Sequence, residues 1–195
     1  METLPKSSTG QNLRAAIFGV NDGLVSNSAL IFGMTTAAAG SSDLVLISGV
    51  AGMLAGAFSM AAGEYISVRS QREFIEYQIG LEAKELRVAP NQLSSPYQAA
   101  FYSFISFALG ALCPLLPFLI YDGSKALKWA AVLSALALMS IGIVISLYTG
   151  KGAVRSALRM LAIGAAACFI TYLAGWALNF ILPMRAIGAA SSLGV

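Results

Sequence analysis

The sequence predicts an all-α polytopic membrane protein with five transmembrane helices in one domain, residues 1–195. Three observations predict it. Of the residues, 57% are hydrophobic and 11% are charged, with a mean hydropathy of +0.76, whereas a soluble domain carries about 25% charged residues. Five apolar runs each reach the roughly 20 residues that a helix needs to cross hydrocarbon. Lys and Arg gather at the ends of alternate runs, as membrane topology requires.

The elements follow in order. The opening "METLPKSSTGQN" is polar, and the apolar run after it is too long for a signal-peptide core and lacks a small-residue cleavage site, so it is expected to remain as an uncleaved first helix. That run spans about Leu13–Ala39 and is broken by "GSSD" (Gly40–Asp43). The second spans about Leu44–Val68. The third spans about Ala99–Ile120 and ends at "YDGSK"; Pro114 and Pro117 are expected to kink it. The fourth, about Trp129–Tyr148, ends at "TGKG", and the fifth, about Ala157–Leu182, ends before Pro183. Tyr97, Tyr102, Tyr121, Trp129 and Tyr148 fall near run ends, where interfacial aromatics belong.

One side of the membrane receives Lys6, Arg14, Arg69, Arg72, Lys84, Arg87, Lys151, Arg155 and Arg159, and the other Lys125, Lys128 and Arg185. The positive-inside rule puts the N-terminus in the cytoplasm and the C-terminus outside or in a lumen. A bacterial inner membrane is expected rather than a vacuolar one. The pI of 9.0 is read as topology, so no nucleic-acid partner is expected. Cys113 and Cys168 lie in apolar runs and read as packing residues. The chain has no histidine, which removes the commonest zinc ligand and proton shuttle. No nucleophile–base pair is recognisable, so the chain is not expected to be an enzyme or to carry a prosthetic group. "SLYTGKGAVR" (Ser146–Arg155) lacks the full phosphate-loop pattern.

The longest loop, residues 69–96, begins "RSQREFIEYQIGLEAKELR". Glu73, Glu76, Glu82 and Glu85 form two i,i+3 pairs, which a continuation of helix two would stack on one face. A solvated mixed-charge helix and a cytoplasmic cation-collecting surface both fit.

The candidate site rests on acids in hydrocarbon, which cost about 2.5–3.5 kcal/mol on insertion scales. Asp22 and Glu64 are the two acids well inside apolar runs. Asp22 and Ser26 are i,i+4 neighbours; Asn21 and Ser28 lie close to that face, and Asn27 is a further polar residue of the same helix. Gly52, Gly56, Met60 and Glu64 recur at i+4 steps along helix two. Asp22 lies about 19 residues before Ser41, and Met60 about 19 after it. In an antiparallel hairpin both then sit roughly 28 Å from the turn, at one level. Asp22, Met60 and Glu64 are the candidate metal ligands, with Asn21, Ser26 and Gly56 lining the path. Hard carboxylate and neutral oxygens with a soft thioether suit a divalent transition metal, Fe²⁺ or Mn²⁺, better than Mg²⁺ or Ca²⁺. Desolvation favours the protonated form of a carboxylate. An intramembrane acid can therefore hold H⁺ without metal and release it on binding, as antiport requires. The bland readings are an Asp22 that fixes helix packing, a Glu64 that snorkels to the interface and a Met60 that fills space.

At these residues a resemblance appears. "AAIFGVNDGLVSNSALIFG", "LISGVAGMLAGAFSMAAGEYISVRSQRE" and "SSPYQAAFYSFISFALGALCPLLPFLI" resemble the vacuolar iron transporter family. The resemblance implies a homodimer of five-helix protomers exchanging Fe²⁺, often Mn²⁺, for protons. It also implies that Asp22, Met60 and Glu64 line an ion path at the dimer interface. A two-fold axis would double an otherwise thin site. The chain departs from many members, which carry a longer metal-collecting domain between helices two and three. Here "SQREFIEYQIGLEAKEL" resembles only its start, with Glu73 and Glu76 at its first acidic positions; the resemblance to the shorter, nodulin-like branch implies a different metal preference. The alternatives are a passive divalent-cation channel of the same fold and a non-transporting membrane scaffold.

Overall fold

The computed structural model describes residues 8–38, 41–81, 95–150 and 152–181. They form α1 (Ser8–Ala37), α2 (Ser42–Leu81), α3 (Pro96–Leu112), a short 3-10 turn (Leu116–Leu119), α4 (Gly123–Thr149) and α5 (Ala153–Ile181). The described residues contain no strand. The protein is an all-α membrane protein, with five helices of 17 residues or more among the described residues.

Among the described residues, four helices are each long and apolar enough to cross a membrane: α1, α2, α4 and α5. The fourth ends cleanly at Gly150, whose φ of 66° lets its N–H reach the Ser146 carbonyl at 2.9 Å. The 40 residues of α2 measure about 60 Å. That is about twice the hydrocarbon thickness, so one end of α2 projects beyond the bilayer.

The third apolar run behaves differently from a kinked helix. α3 has 17 residues, about 25 Å. It stops before Pro114, which has no N–H to donate. The bonds beyond it skip three residues instead of four: Cys113 N–H to Gly110 O at 3.3 Å, Leu115 N–H to Leu112 O at 3.0 Å, and Phe118 N–H to Leu115 O at 2.9 Å. The prolines thus end the helix and tighten the chain into a 3-10 turn.

α1 is the central element, packed most extensively on α3 and α5. Small residues permit the contact with α3. A Cβ at Gly23 would run into the Phe107 carbonyl, and one at Gly110 into the Val20 carbonyl, so these backbones touch directly. Hydroxyls bind α1 to its other neighbours: Thr171 donates to Ala29 O at 2.6 Å, Thr36 to Tyr172 O at 3.1 Å, and Ser28 to Ser134 Oγ at 3.0 Å. Ile31, Val45, Leu115, Phe118, Ala126 and Ala130 form a buried cluster where α1, α2, α4 and the 3-10 turn meet. Ile47, Leu54 and Phe58 on α2, and Phe169, Trp176 and Phe180 on α5, are exposed. In a bilayer such residues face lipid or another protein chain.

Candidate functional site

α1 and α2 each pack more on α3 than on each other. A cleft of about 320 Å³ opens between them as a result. Asp22, Ser26, Asn27 and Leu30 of α1 form one wall, Gly52, Gly56, Ser59 and Met60 of α2 the other, and Phe107 of α3 the floor. The spacing explains the walls. Asp22, Ser26 and Leu30 are a row at i+4 steps, and so are Gly52, Gly56 and Met60; an α-helix stacks such rows on one face. The glycines hollow out the α2 wall: a Cβ at Gly56 would enter the Phe107 ring.

Asp22 is half-buried, and Ser26 and Ser59 are exposed on the open side of the cleft. Met60 is half-buried and packs on the cluster of Ala57, Phe107 and Ala111, so it both fills space and lines the cleft. Asn27 is 2% exposed, and its Nδ2 donates to the Ala111 carbonyl at 2.6 Å. Its Oδ1 is buried and has no hydrogen-bond partner among the described residues. One carboxylate, two hydroxyls, an amide oxygen and a thioether are thus gathered in one place. No three of His, Cys, Asp and Glu come together among the described residues. A metal ion in this cleft would depend on neutral oxygen and sulfur donors beside a single carboxylate per chain.

Of the residues singled out in the sequence, Asp22, Ser26, Gly56 and Met60 share the cleft. Glu64, one turn beyond Met60, is half-buried and outside the lining. Asn21 is also outside it, with its Oδ1 buried and without a partner among the described residues. Ser28 turns away to α4. Glu73 is exposed and paired with Arg69 at 2.6 Å, and Glu76 is exposed on the same helix. Glu82 and Glu85 lie outside the described residues. The sequence did not assign Asn27, Ser59 and Phe107 to the site. Asn27 lies five residues from Asp22, about 140° round the helix, so helical spacing does not group them. Phe107 comes from a distant segment with no pattern of its own.

The model of the VIT family matches residues 13–95 and 83–176. The chain belongs to the VIT family. That match runs from α1 to α5 and includes every residue of the cleft. Among the relatives is a rice (Oryza sativa subsp. japonica) protein named vacuolar iron transporter homolog 1. It is 40% identical over 172 residues, 83% of this chain and 72% of the relative. Vacuolar iron transporter homolog 2 of rice is 38% identical over 167 residues, 83% of this chain and 88% of the relative. Vacuolar iron transporter homolog 3 of Arabidopsis thaliana is 38% identical over 168 residues, 85% and 82% of the two chains. These VIT-family relatives are plant proteins named for the vacuole, and they lend no support to the expectation of a bacterial inner membrane.

Proposed function

We propose that this chain carries Fe²⁺ across a membrane in exchange for protons, with Mn²⁺ as a second cargo, and exports metal from the cytoplasm. The observation that carries the reading is the cleft, in which Asp22, Ser26, Ser59 and Met60 meet between two helices long and apolar enough to cross a membrane. The names of the relatives point to iron. The donor set agrees with it, because a thioether beside oxygens disfavours Mg²⁺ and Ca²⁺. Asp22 is the coupling group: its carboxylate holds either a proton or a metal ion, so loading one releases the other. The distribution of Lys and Arg supports transport away from the cytoplasm, with the N-terminus on that side.

The working unit is a homodimer. Ser26 and Ser59 are exposed at the mouth of the cleft, and hydroxyls facing hydrocarbon without partners are costly. A second copy related by a two-fold axis would cover both mouths and bring two Asp22 and two Met60 side chains to one path.

Uptake of Fe²⁺ and Mn²⁺ into proteoliposomes, with and without a pH gradient, tests this reading for wild type and Asp22→Ala. Uptake stimulated by the gradient and lost in the variant is expected. Uptake indifferent to the gradient would replace antiport with a channel. Normal uptake by folded Asp22→Ala protein would remove the cleft from the mechanism.

A further inference from the structure

The most heavily buried polar group of the cleft is Asn27, 2% exposed with an unpartnered oxygen. Its orientation has a cause at the end of the neighbouring α3. In a continuous α3 the Ala111 carbonyl would accept from the Leu115 N–H. Here the Leu115 N–H goes to Leu112 O, and Pro114 has none to give. The freed Ala111 carbonyl takes the Asn27 amide instead, at 2.6 Å. A carbonyl can only accept, so the Asn27 nitrogen must face it and the oxygen must face the other way. That oxygen points toward α2 at Gly52, where an added Cβ would lie 3.3 Å from it. Gly52 and Asn27 both line the cleft. The Pro114 break, the Asn27 amide and the bare backbone at Gly52 therefore act together to leave one buried acceptor without a partner at the wall of the cleft.

We propose that Asn27 Oδ1 is a metal-ligating oxygen of the cleft, aimed by the Ala111 carbonyl and faced by the side-chain-free backbone of Gly52. The inference rests on the reading of the cleft as a metal path. It adds to Asp22 and Met60 a neutral, hard donor that carries no proton. Asn27 therefore sets affinity and metal preference without taking part in proton exchange.

The test is titration of the full-length protein in detergent with Mn²⁺, and with Fe²⁺ under anaerobic conditions, alongside thermal unfolding. The variants are Asn27→Ser, Gly52→Ala, their combination, and Asp22→Ala. Asn27→Ser keeps a hydroxyl that can donate to a carbonyl but offers no amide oxygen. Gly52→Ala leaves the Asn27–Ala111 bond in place and screens the oxygen. The atom it crowds most is the end of the flexible Leu30 side chain, which can turn aside. Each single variant is expected to weaken metal binding about tenfold, the lower end for loss of a group that supports a metal site. The double variant is expected to be no weaker than the worse single, because both act through one atom. Gly52→Ala should keep the wild-type unfolding temperature, which separates ligation from a purely structural cap. Wild-type affinity in Gly52→Ala, or additive losses in the double variant, would reduce Asn27 to a cap for α3 while leaving the function of the cleft intact. Wild-type binding by Asp22→Ala, or no binding of either metal by the wild type, would overturn the cleft reading and this inference with it.

Discussion

Two cavities of similar size sit on opposite sides of α1 and have unlike chemistry. The α1–α2 cleft measures about 320 Å³, and its walls carry Asp22, Ser26, Asn27, Ser59 and Met60. The groove between α1, α4 and α5 measures about 360 Å³ and is lined by apolar residues such as Phe32, Leu127, Leu138 and Phe169. Its one serine, Ser134, already receives the Ser28 hydroxyl at 3.0 Å. Volume does not distinguish a site from a packing defect; unsatisfied donors and acceptors do. Lipid tails are as apolar as leucine, so an acyl chain fills the groove at little cost. The cleft leaves polar atoms that only water, a proton or a metal ion can satisfy.

The largest expected effect comes from exchanging the two chemistries. Asp22→Ala should lower Fe²⁺ uptake about a hundredfold or more, in the range for a lost electrostatic contact of an active site, and should not lower stability, because a costly intramembrane acid has been removed. Uptake assays paired with unfolding in bicelles would check both halves. The reciprocal change, Ala135→Asp, puts a carboxylate into the apolar groove. It should destabilise the protein by about 3 kcal/mol, the insertion cost of an unpartnered acid; the same unfolding measurement reads it, and a small loss would mean that water reaches the groove. Met60→Leu preserves volume while removing the sulfur. A roughly tenfold weaker Fe²⁺ affinity is expected, with a smaller loss for Mn²⁺, which is the weaker binder to soft donors; equal losses would make Met60 packing. Ala135→Leu should fill part of the groove and leave metal uptake unchanged, with a destabilisation below the roughly 1–3 kcal/mol that added methylenes cost in a filled core, because the groove has room. The smallest effect is expected from Glu73→Gln, which breaks only the exposed pair with Arg69. Exposed pairs contribute little, so near-normal uptake is expected, and a strong loss would restore the acidic segment as a metal-collecting surface.

Much of this contrast was legible in the chain before folding. Asp22 stands out because a carboxylate inside an apolar run is expensive, and the hairpin about Ser41 brings Met60 to its level through rise per residue alone. Gly52 and Gly56 share a face with Met60 by their i+4 spacing, which predicts a wall of small residues but not that it is hollow. Glu64 belongs to the same row, yet it lies outside the cleft lining. The row continues along α2 after the cleft has ended, and spacing cannot say where a partner helix stops following it.

Composition and periodicity by themselves determined that the chain is helical, membrane-embedded and polar at one level of its first two helices. Those properties depend on transfer free energy and on rise per residue, which are local to each segment. The tertiary structure decided which faces meet. α3 holds α1 and α2 apart, so a cleft forms there instead of a tight hairpin. Phe107 becomes its floor. The end of α3 at Pro114 turns the Asn27 oxygen toward Gly52. Each of these depends on the rotation of one helix against another, which backbone contacts such as Gly23 against Phe107 and Gly110 against Val20 fix. No single segment carries that information, because close packing is a property of pairs of surfaces.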